Sequence, residues 1–317
     1  MNWITILLIS LIVLITLDLL IHLVYVRVVL RIFETKPPFS VASTPSDPQA
    51  ELVSCVTRDG ITLRGSIHSP TTKSAKGVVL FCPELEGSHW SAGVYARGLL
   101  DSGFQVVAFD FRSQGESDHQ PGYAPLHWPT KLELEDVRAA IRFIEGRSDL
   151  SELPLGIMGI SRGSTPALIA AAEFPQIKAV CCEGAYSIDA LLIHFISRWA
   201  SIYMPRTIVR FLPNWHMRLT SIMVRWTSRL LGNRQYVVLE KWLPKLKNRS
   251  VLLVAGQRDN YVHSDVGREL QRRIASPKTR FWLVPGAKHN SARKVSPIEY
   301  DHRLQEFFSN SLMTQPA

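Results

Sequence analysis

Ser161 stands in Gly159-Ile160-Ser161-Arg162-Gly163, directly after the apolar run from Leu155 to Ile160 and at the head of a helical stretch. A serine hydroxyl is a weak nucleophile until a neighbouring base takes its proton. The flanking glycines let a tight strand-to-helix turn pass without clashing Cβ atoms, and the helix N-terminus that follows favours developing negative charge. His289, in Val284-Pro285-Gly286-Ala287-Lys288-His289, follows another strand-like run. An imidazole with a reference pKa of about 6.5 can accept and return a proton near neutrality. Asp259, in Gly256-Gln257-Arg258-Asp259, lies just past a third run, where a carboxylate would hold the imidazole in one tautomer and stabilise the imidazolium. Glu183, after the run from Ile177 to Cys182, is the second candidate for that acid. Ser161, Asp259 and His289 in this chain order suit acyl transfer through a covalent intermediate.

The tetrahedral intermediate of such a reaction needs backbone donors for its oxyanion. One expected donor is the amide of Arg162, next to the serine. The other is the amide of Leu85, in the loop Pro83-Glu84-Leu85-Glu86-Gly87-Ser88 that follows the run from Gly77 to Cys82. Glu84 and Glu86 flank this second donor and would oppose an anion unless paired with a residue such as Arg162.

These residues require a scaffold that brings several strand ends together. Val53–Arg58 and Ile61–His68 read as two strands joined at Asp59-Gly60, a hairpin signal. Strand-helix alternation follows. Strands are expected at 77–82, 104–110, 155–160, 177–183, 250–256 and 279–284. Helices are expected at about 90–101, 131–146, 162–174, 264–274 and 297–309, with Leu134, Val137, Ile141 and Ile144 marking the second. This order predicts an α/β fold with a mostly parallel central sheet, an antiparallel N-terminal hairpin and helices on both faces. Residues 187–247 break the rhythm with helical stretches and breakers at Pro205, Pro213 and Gly232, as a helical cap insertion would.

From Leu52 to Phe308 the chain resembles the α/β-hydrolase superfamily, and in particular its monoacylglycerol-lipase-like and serine-aminopeptidase-like branch. The resemblance rests on Gly159–Gly163, on Asp110-Phe111-Arg112-Ser113-Gln114-Gly115-Glu116-Ser117, on Gly256 with Asp259, and on Gly286 with His289. It implies cleavage of esters, thioesters, amides or lactones without a cofactor. It also implies that the turn after Asp110 shapes the loop beside the active site and that residues 187–247 form the substrate-covering cap. The loop that commonly reads His-Gly-x in the family is Pro83-Glu84-Leu85 here, a departure at the expected oxyanion donor.

The 317 residues are 46% hydrophobic, and the greasiest part is N-terminal. From Trp3 to Val26 only Asp18 and His22 are ionisable, and about 24 helical residues reach roughly 36 Å, enough to cross a bilayer. Arg27 and Arg31 follow in place of a small-residue cleavage site, which favours a retained anchor over a signal peptide. With Lys36 they place the following domain in the cytoplasm by the positive-inside tendency. Asp18 and His22, four apart, share a helix face and suit a mutually satisfied pair or a helix–helix contact. The organisation expected is an anchor with its basic flank at 1–34, a Pro-rich linker at 35–50 and the catalytic domain at 51–317.

Four cysteines show no disulfide or zinc spacing, and Cys181 and Cys182 should point to opposite faces of one strand. The formal charge is +9, and between Ala190 and Lys247 ten Lys or Arg stand against one acid, Glu240, interleaved with Trp199, Trp215, Trp226 and Trp242. Beside an anchor, such a surface suits anionic lipid headgroups better than nucleic acid. Arg206 with Arg210 and Arg225 with Arg229, each four apart, would each line one helix face.

The expectation is a membrane-anchored serine hydrolase acting on carboxylic esters, with acyl or lipid-like substrates, no cofactor and no nucleic-acid partner. A peptidase or amidase of the same fold, with Glu84 or Glu86 holding a substrate amine, is the alternative within enzymes. A catalytically silent scaffold used for binding is the alternative outside them.

Overall fold

In the computed structural model, residues 2–36, 41, 43–72, 74–203, 205, 207, 214–232 and 234–313 are described. They divide into two compact units, Met1–Lys36 with Leu192–Tyr236, and Pro37–Leu191 with Val237–Ala317.

The second unit is built on one sheet. Strands β1 (Glu51–Val56) and β2 (Thr62–His68) pair antiparallel, Val56 opposite Thr62, and Gly60 supplies the left-handed turn residue at φ +86°. The remaining strands are β3 (Val78–Cys82), β4 (Gln105–Phe109), β5 (Leu155–Ile160), β6 (Ile177–Glu183), β7 (Ser250–Gly256) and β8 (Thr279–Val284). The order is β1-β2-β4-β3-β5-β6-β7-β8, antiparallel for the first two pairings and parallel thereafter. β3 and β5 are buried along their whole length, as continuous Val/Ile/Leu-rich runs should be when both faces are covered. Cys181 and Cys182 belong to the cores on opposite faces of the sheet, and all four cysteines are free and buried.

After β3 the chain steps to β4 on one side and then returns to β5 on the other. The crevice outside the carboxyl ends of β3 and β5 is thus a topological switch point, where open α/β sheets place ligands. Helices α4 (Lys131–Gly146), α5 (Ser164–Glu173), α8 (Ser264–Ile274) and α10 (Pro297–Leu312) lie close to the ranges expected, and a short α9 (Ala292–Val295) precedes the last. The stretch from Trp90 to Asp101 does not form one helix. It is a 3₁₀ turn at His89–Ser91 followed by α2 (Ala92–Tyr95) and α3 (Arg97–Asp101). Ala96 interrupts the run at φ −102°, ψ 13°. Gly98 then sits so close to α10 that a Cβ would meet Asp301 Cβ at 2.7 Å.

The first unit contains α1 (Trp3–Phe33), α6 (Ile188–Tyr203) from Leu192 onward, and α7 (Asn214–Gly232). α1 is long and apolar enough to cross a membrane, with a mean hydropathy of 2.9 in its most apolar window and none of that window buried. Its buried residues, His22, Val26, Val29 and Phe33, form one stripe on the C-terminal half. There the Tyr25 hydroxyl donates to the Ile196 carbonyl at 2.9 Å, and the Ser228 hydroxyl donates to Glu34. Arg225 and Arg229 share α7, whereas Arg206 and Arg210 lie outside the described residues.

Candidate active site

β5 ends at Ile160, and Ser161 opens a single 3₁₀ turn that leads into α5. Ser161 adopts φ +47°, a left-handed conformation that costs a residue with a Cβ about 1–2 kcal/mol and that the surrounding turn must enforce. The glycines explain how it is enforced. A Cβ on Gly159 would lie 2.6 Å from Ser164 Cα, and one on Gly163 would lie 2.3 Å from the Cys82 carbonyl oxygen. The turn is therefore pressed against the end of β3.

The loop after β8 brings His289 back over this turn, and Ser161 Oγ lies 2.8 Å from His289 Nε2. His289 Nδ1 lies 2.7 Å from Asp259 Oδ2. The other carboxylate oxygen, Asp259 Oδ1, accepts the amides of Tyr261 and Val262, each at 2.8 Å, so the acid is oriented from both sides. Three side chains from the ends of three strands make one continuous hydrogen-bonded series. Gly184, left-handed at φ +63° after β6, makes room for it, since a Cβ there would stand 2.9 Å from His289 Cε1.

Glu183 is close by but differently engaged. Its two oxygens accept the Ala292 amide at 2.9 Å and the Tyr300 hydroxyl at 2.8 Å. Burial raises its pKa above the ordinary carboxylate range, and its hydrogen bonds oppose that rise only in part. It braces the segment that follows His289 and makes no hydrogen bond with the imidazole.

Leu85 is buried at the end of β3, and Glu86 beside it is held at φ +64° with its amide donating to Gln114 Oε1 at 3.0 Å. Gln114 belongs to the turn that follows β4. In that turn Asp110 accepts the amides of His89 and Glu116, and Arg112 pairs with Asp136 at 2.6 Å and with Asp59. The Asp110 turn is thus tied directly to the loop carrying Leu85.

Arg162 does not neutralise Glu84 or Glu86. Its guanidinium pairs with Glu133 at 2.6 Å, bonds the Tyr123 hydroxyl at 3.0 Å and donates to the Leu126 carbonyl. Glu86 is exposed. Glu84 is buried beneath Gly87, and burial pushes its pKa up to about 7. The loop tolerates this acid because the carboxyl can stay neutral, not because a cation answers it.

His127 was not singled out by its surroundings in the sequence. It is buried, its ring centroid is 5.6 Å from Tyr261, and Tyr261 is 5.1 Å from His289. Burial, then the charges of Arg162 and His289, push its pKa down to about 3. It is a neutral imidazole, and neither ring nitrogen has a hydrogen-bond partner among the described residues. Only the fold brings it here, because no local pattern distinguishes His127-Trp128-Pro129 from an ordinary loop.

A family model for the alpha/beta hydrolase fold matches residues 77–228. An uncharacterized protein of Pseudomonas aeruginosa, PA2218, is 23% identical over 304 residues, covering 82% of this chain and 80% of its own length. Among solved structures, the Pyrococcus furiosus esterase Pf2001 superposes with a TM-score of 0.63 at 21% identity, covering 88% of this chain and 100% of that one. Dienelactone hydrolase from Anabaena variabilis superposes with a TM-score of 0.57 at 19% identity, covering 84% of this chain and 100% of that one. The chain has the α/β-hydrolase fold.

Proposed function

We propose that this chain is a membrane-anchored serine hydrolase that cleaves carboxylic esters of acyl or lipid-like substrates. The observation that carries this reading is the series Ser161–His289–Asp259, with links of 2.8 and 2.7 Å, on a serine strained to φ +47°. In the reaction, Ser161 Oγ attacks the ester carbonyl carbon while His289 Nε2 takes the hydroxyl proton. Asp259 stabilises the imidazolium that forms. The amides of Leu85 and Arg162 receive the oxyanion. Collapse of the intermediate breaks the bond to the alcohol, which leaves with the proton from His289, and Ser161 remains acylated. Water then attacks the acyl-enzyme, with His289 again accepting and returning a proton.

The esterase among the structural neighbours agrees with this chemistry. Membrane attachment is supported by α1 and by an apolar face on α7, where Trp215, Ile222, Trp226 and Leu230 are all exposed. Arg218, Arg225 and Arg229 on the same helix suit anionic headgroups, and Arg27 and Arg31 favour a cytoplasmic catalytic unit.

The test uses the full chain in detergent or vesicles. A fluorophosphonate probe should label it and should not label Ser161→Ala, and esters of increasing acyl length should be hydrolysed. Absence of labelling in the wild type overturns the enzyme reading. Hydrolysis of aminoacyl amides in preference to esters replaces it with a peptidase of the same fold. Extraction of the chain from membranes by alkaline carbonate overturns the anchor.

A further inference from the structure

Asp18 and His22 lie one turn apart on α1, and His216 reaches them from the first turn of α7. His216 Nε2 is 2.9 Å from Asp18 Oδ1, His22 Nε2 is 3.7 Å from Asp18 Oδ2, and the two imidazole centroids are 4.1 Å apart. One ligand atom from each residue falls within 4.8 Å of the others. Donor atoms about 2.1 Å from a shared tetrahedral ion lie about 3.4 Å from each other, and the two histidine–carboxylate separations, each to a different oxygen of Asp18, fall on either side of that spacing.

The hydrogen bonding around His22 points to a cation. Thr220 Oγ1 donates its one proton to the His216 carbonyl at 3.4 Å and lies 3.0 Å from His22 Nδ1. With the ring proton on Nδ1, the Thr220 oxygen accepts it and Nε2 presents an electron pair to a ligand. That nitrogen is buried, has no hydrogen-bond partner among the described residues, and faces a carboxylate oxygen. In that tautomer two electron-pair donors face each other across a gap that a cation can fill. A hydroxyl that orients the ring through its far nitrogen is also the arrangement found behind metal-bound histidines.

We propose that Asp18, His22 and His216 bind one divalent first-row transition cation of the zinc type, which ties α1 to α7. Two imidazoles and one carboxylate suit zinc and exclude a preference for calcium or magnesium, which take oxygen ligands. Three protein ligands leave a fourth position, and both histidines line a largely apolar groove of about 560 Å³ with Leu20, Val24, Tyr25 and Met217. Asp18 stands about 22 Å along α1 from Trp3, toward the far side of a hydrocarbon layer about 30 Å thick, and its side chain is 43% exposed. On binding, a neutral His216 ligates through Nε2 and carries its ring proton on Nδ1.

The experiment strips the purified full chain with a chelator, adds zinc or cobalt, removes the excess by desalting and counts bound metal. The wild type and His302→Ala, which changes an exposed histidine, should each retain close to one equivalent. The bound cobalt should show the visible absorption of a four-coordinate ion. His22→Ala and His216→Ala should bind at least roughly tenfold more weakly, and Thr220→Val roughly tenfold more weakly through loss of ring orientation. Asp18→Asn keeps a hydrogen-bonding group beside His216, so its loss of metal with an unchanged circular dichroism spectrum separates ligation from unfolding. A wild type that retains no metal overturns the site, leaving a proton as the positive charge between His22 and Asp18. Retention unchanged across the variants overturns it equally.

Discussion

The guanidinium of Arg162 closes on the carboxylate of Glu133 at 2.6 Å, with both side chains almost wholly shielded from water. Arg162 is the residue after Ser161, so the pair anchors the turn that carries the proposed nucleophile and the proposed oxyanion donor. Removing one member of such a pair leaves the other charge buried without compensation, which typically costs about 3–5 kcal/mol.

Glu133→Gln is therefore expected to lower unfolding stability by about 3–5 kcal/mol in urea titrations and to reduce kcat by displacing the Arg162 amide. Glu133 also closes the N-terminal capping box of α4 with Thr130. Glu133→Ala should cost about 1 kcal/mol beyond the glutamine variant. Equal stability of wild type and Glu133→Gln would show that the pair is not maintained in solution.

Asp259 and Glu183 should separate cleanly in kinetics. Asp259→Asn loses the acceptor at His289 Nδ1, and kcat should fall on the order of 10⁴-fold with little change in melting temperature. Glu183→Gln disturbs the bonds to the Ala292 amide and the Tyr300 hydroxyl, so stability should fall by about 1–3 kcal/mol while kcat stays within roughly tenfold. A collapse of kcat in the Glu183 variant equal to that of Asp259→Asn would reverse the assignment.

Gly163→Ala places a Cβ 2.3 Å from the Cys82 carbonyl oxygen and 2.6 Å from that of Pro83, both rigid backbone. The turn must retreat from the end of β3, so kcat/KM should drop while stability falls by about 1–3 kcal/mol. Gly146→Ala is the contrasting case. Nothing lies within 4 Å of its added Cβ at the end of α4, and a gain of up to about 1 kcal/mol is expected.

Glu84 should make stability fall with rising pH. Its folded pKa of about 7, raised by burial, exceeds the ordinary carboxylate value near 4.5. The folded chain therefore holds a proton that the unfolded chain releases between those values. The contribution is full below the lower value and is lost as pH rises through about 7. Glu84→Gln, which cannot ionise, should match the wild type near pH 4 and exceed it by about 3 kcal/mol near pH 8, measured by denaturant unfolding. Parallel curves for the two proteins would place the carboxylate in contact with water.

The residues that do the proposed chemistry are legible in the chain because each follows its own strand. Ser161, Asp259 and His289 are each fixed by a few neighbours, an apolar strand and a glycine-bearing turn, and local sequence reports such neighbours well. The parallel sheet was readable for the same reason, since continuous apolar runs between amphipathic helices leave few other arrangements. The single helix expected from Trp90 to Asp101 is broken at Ala96, and the close approach of Gly98 to Asp301, some two hundred residues away, is likewise invisible in the local sequence.

The sequence alone determined the strand ends and the side chains they carry. Tertiary structure decided which of those side chains meet. It chose Asp259 over Glu183 for His289, gave Arg162 to Glu133 and not to Glu84, brought His127 close to Tyr261, and set His216 against Asp18 and His22. A hydrogen bond forms over about 3 Å of space whatever the separation along the chain. No local pattern of residues can specify a partner that distant packing must deliver.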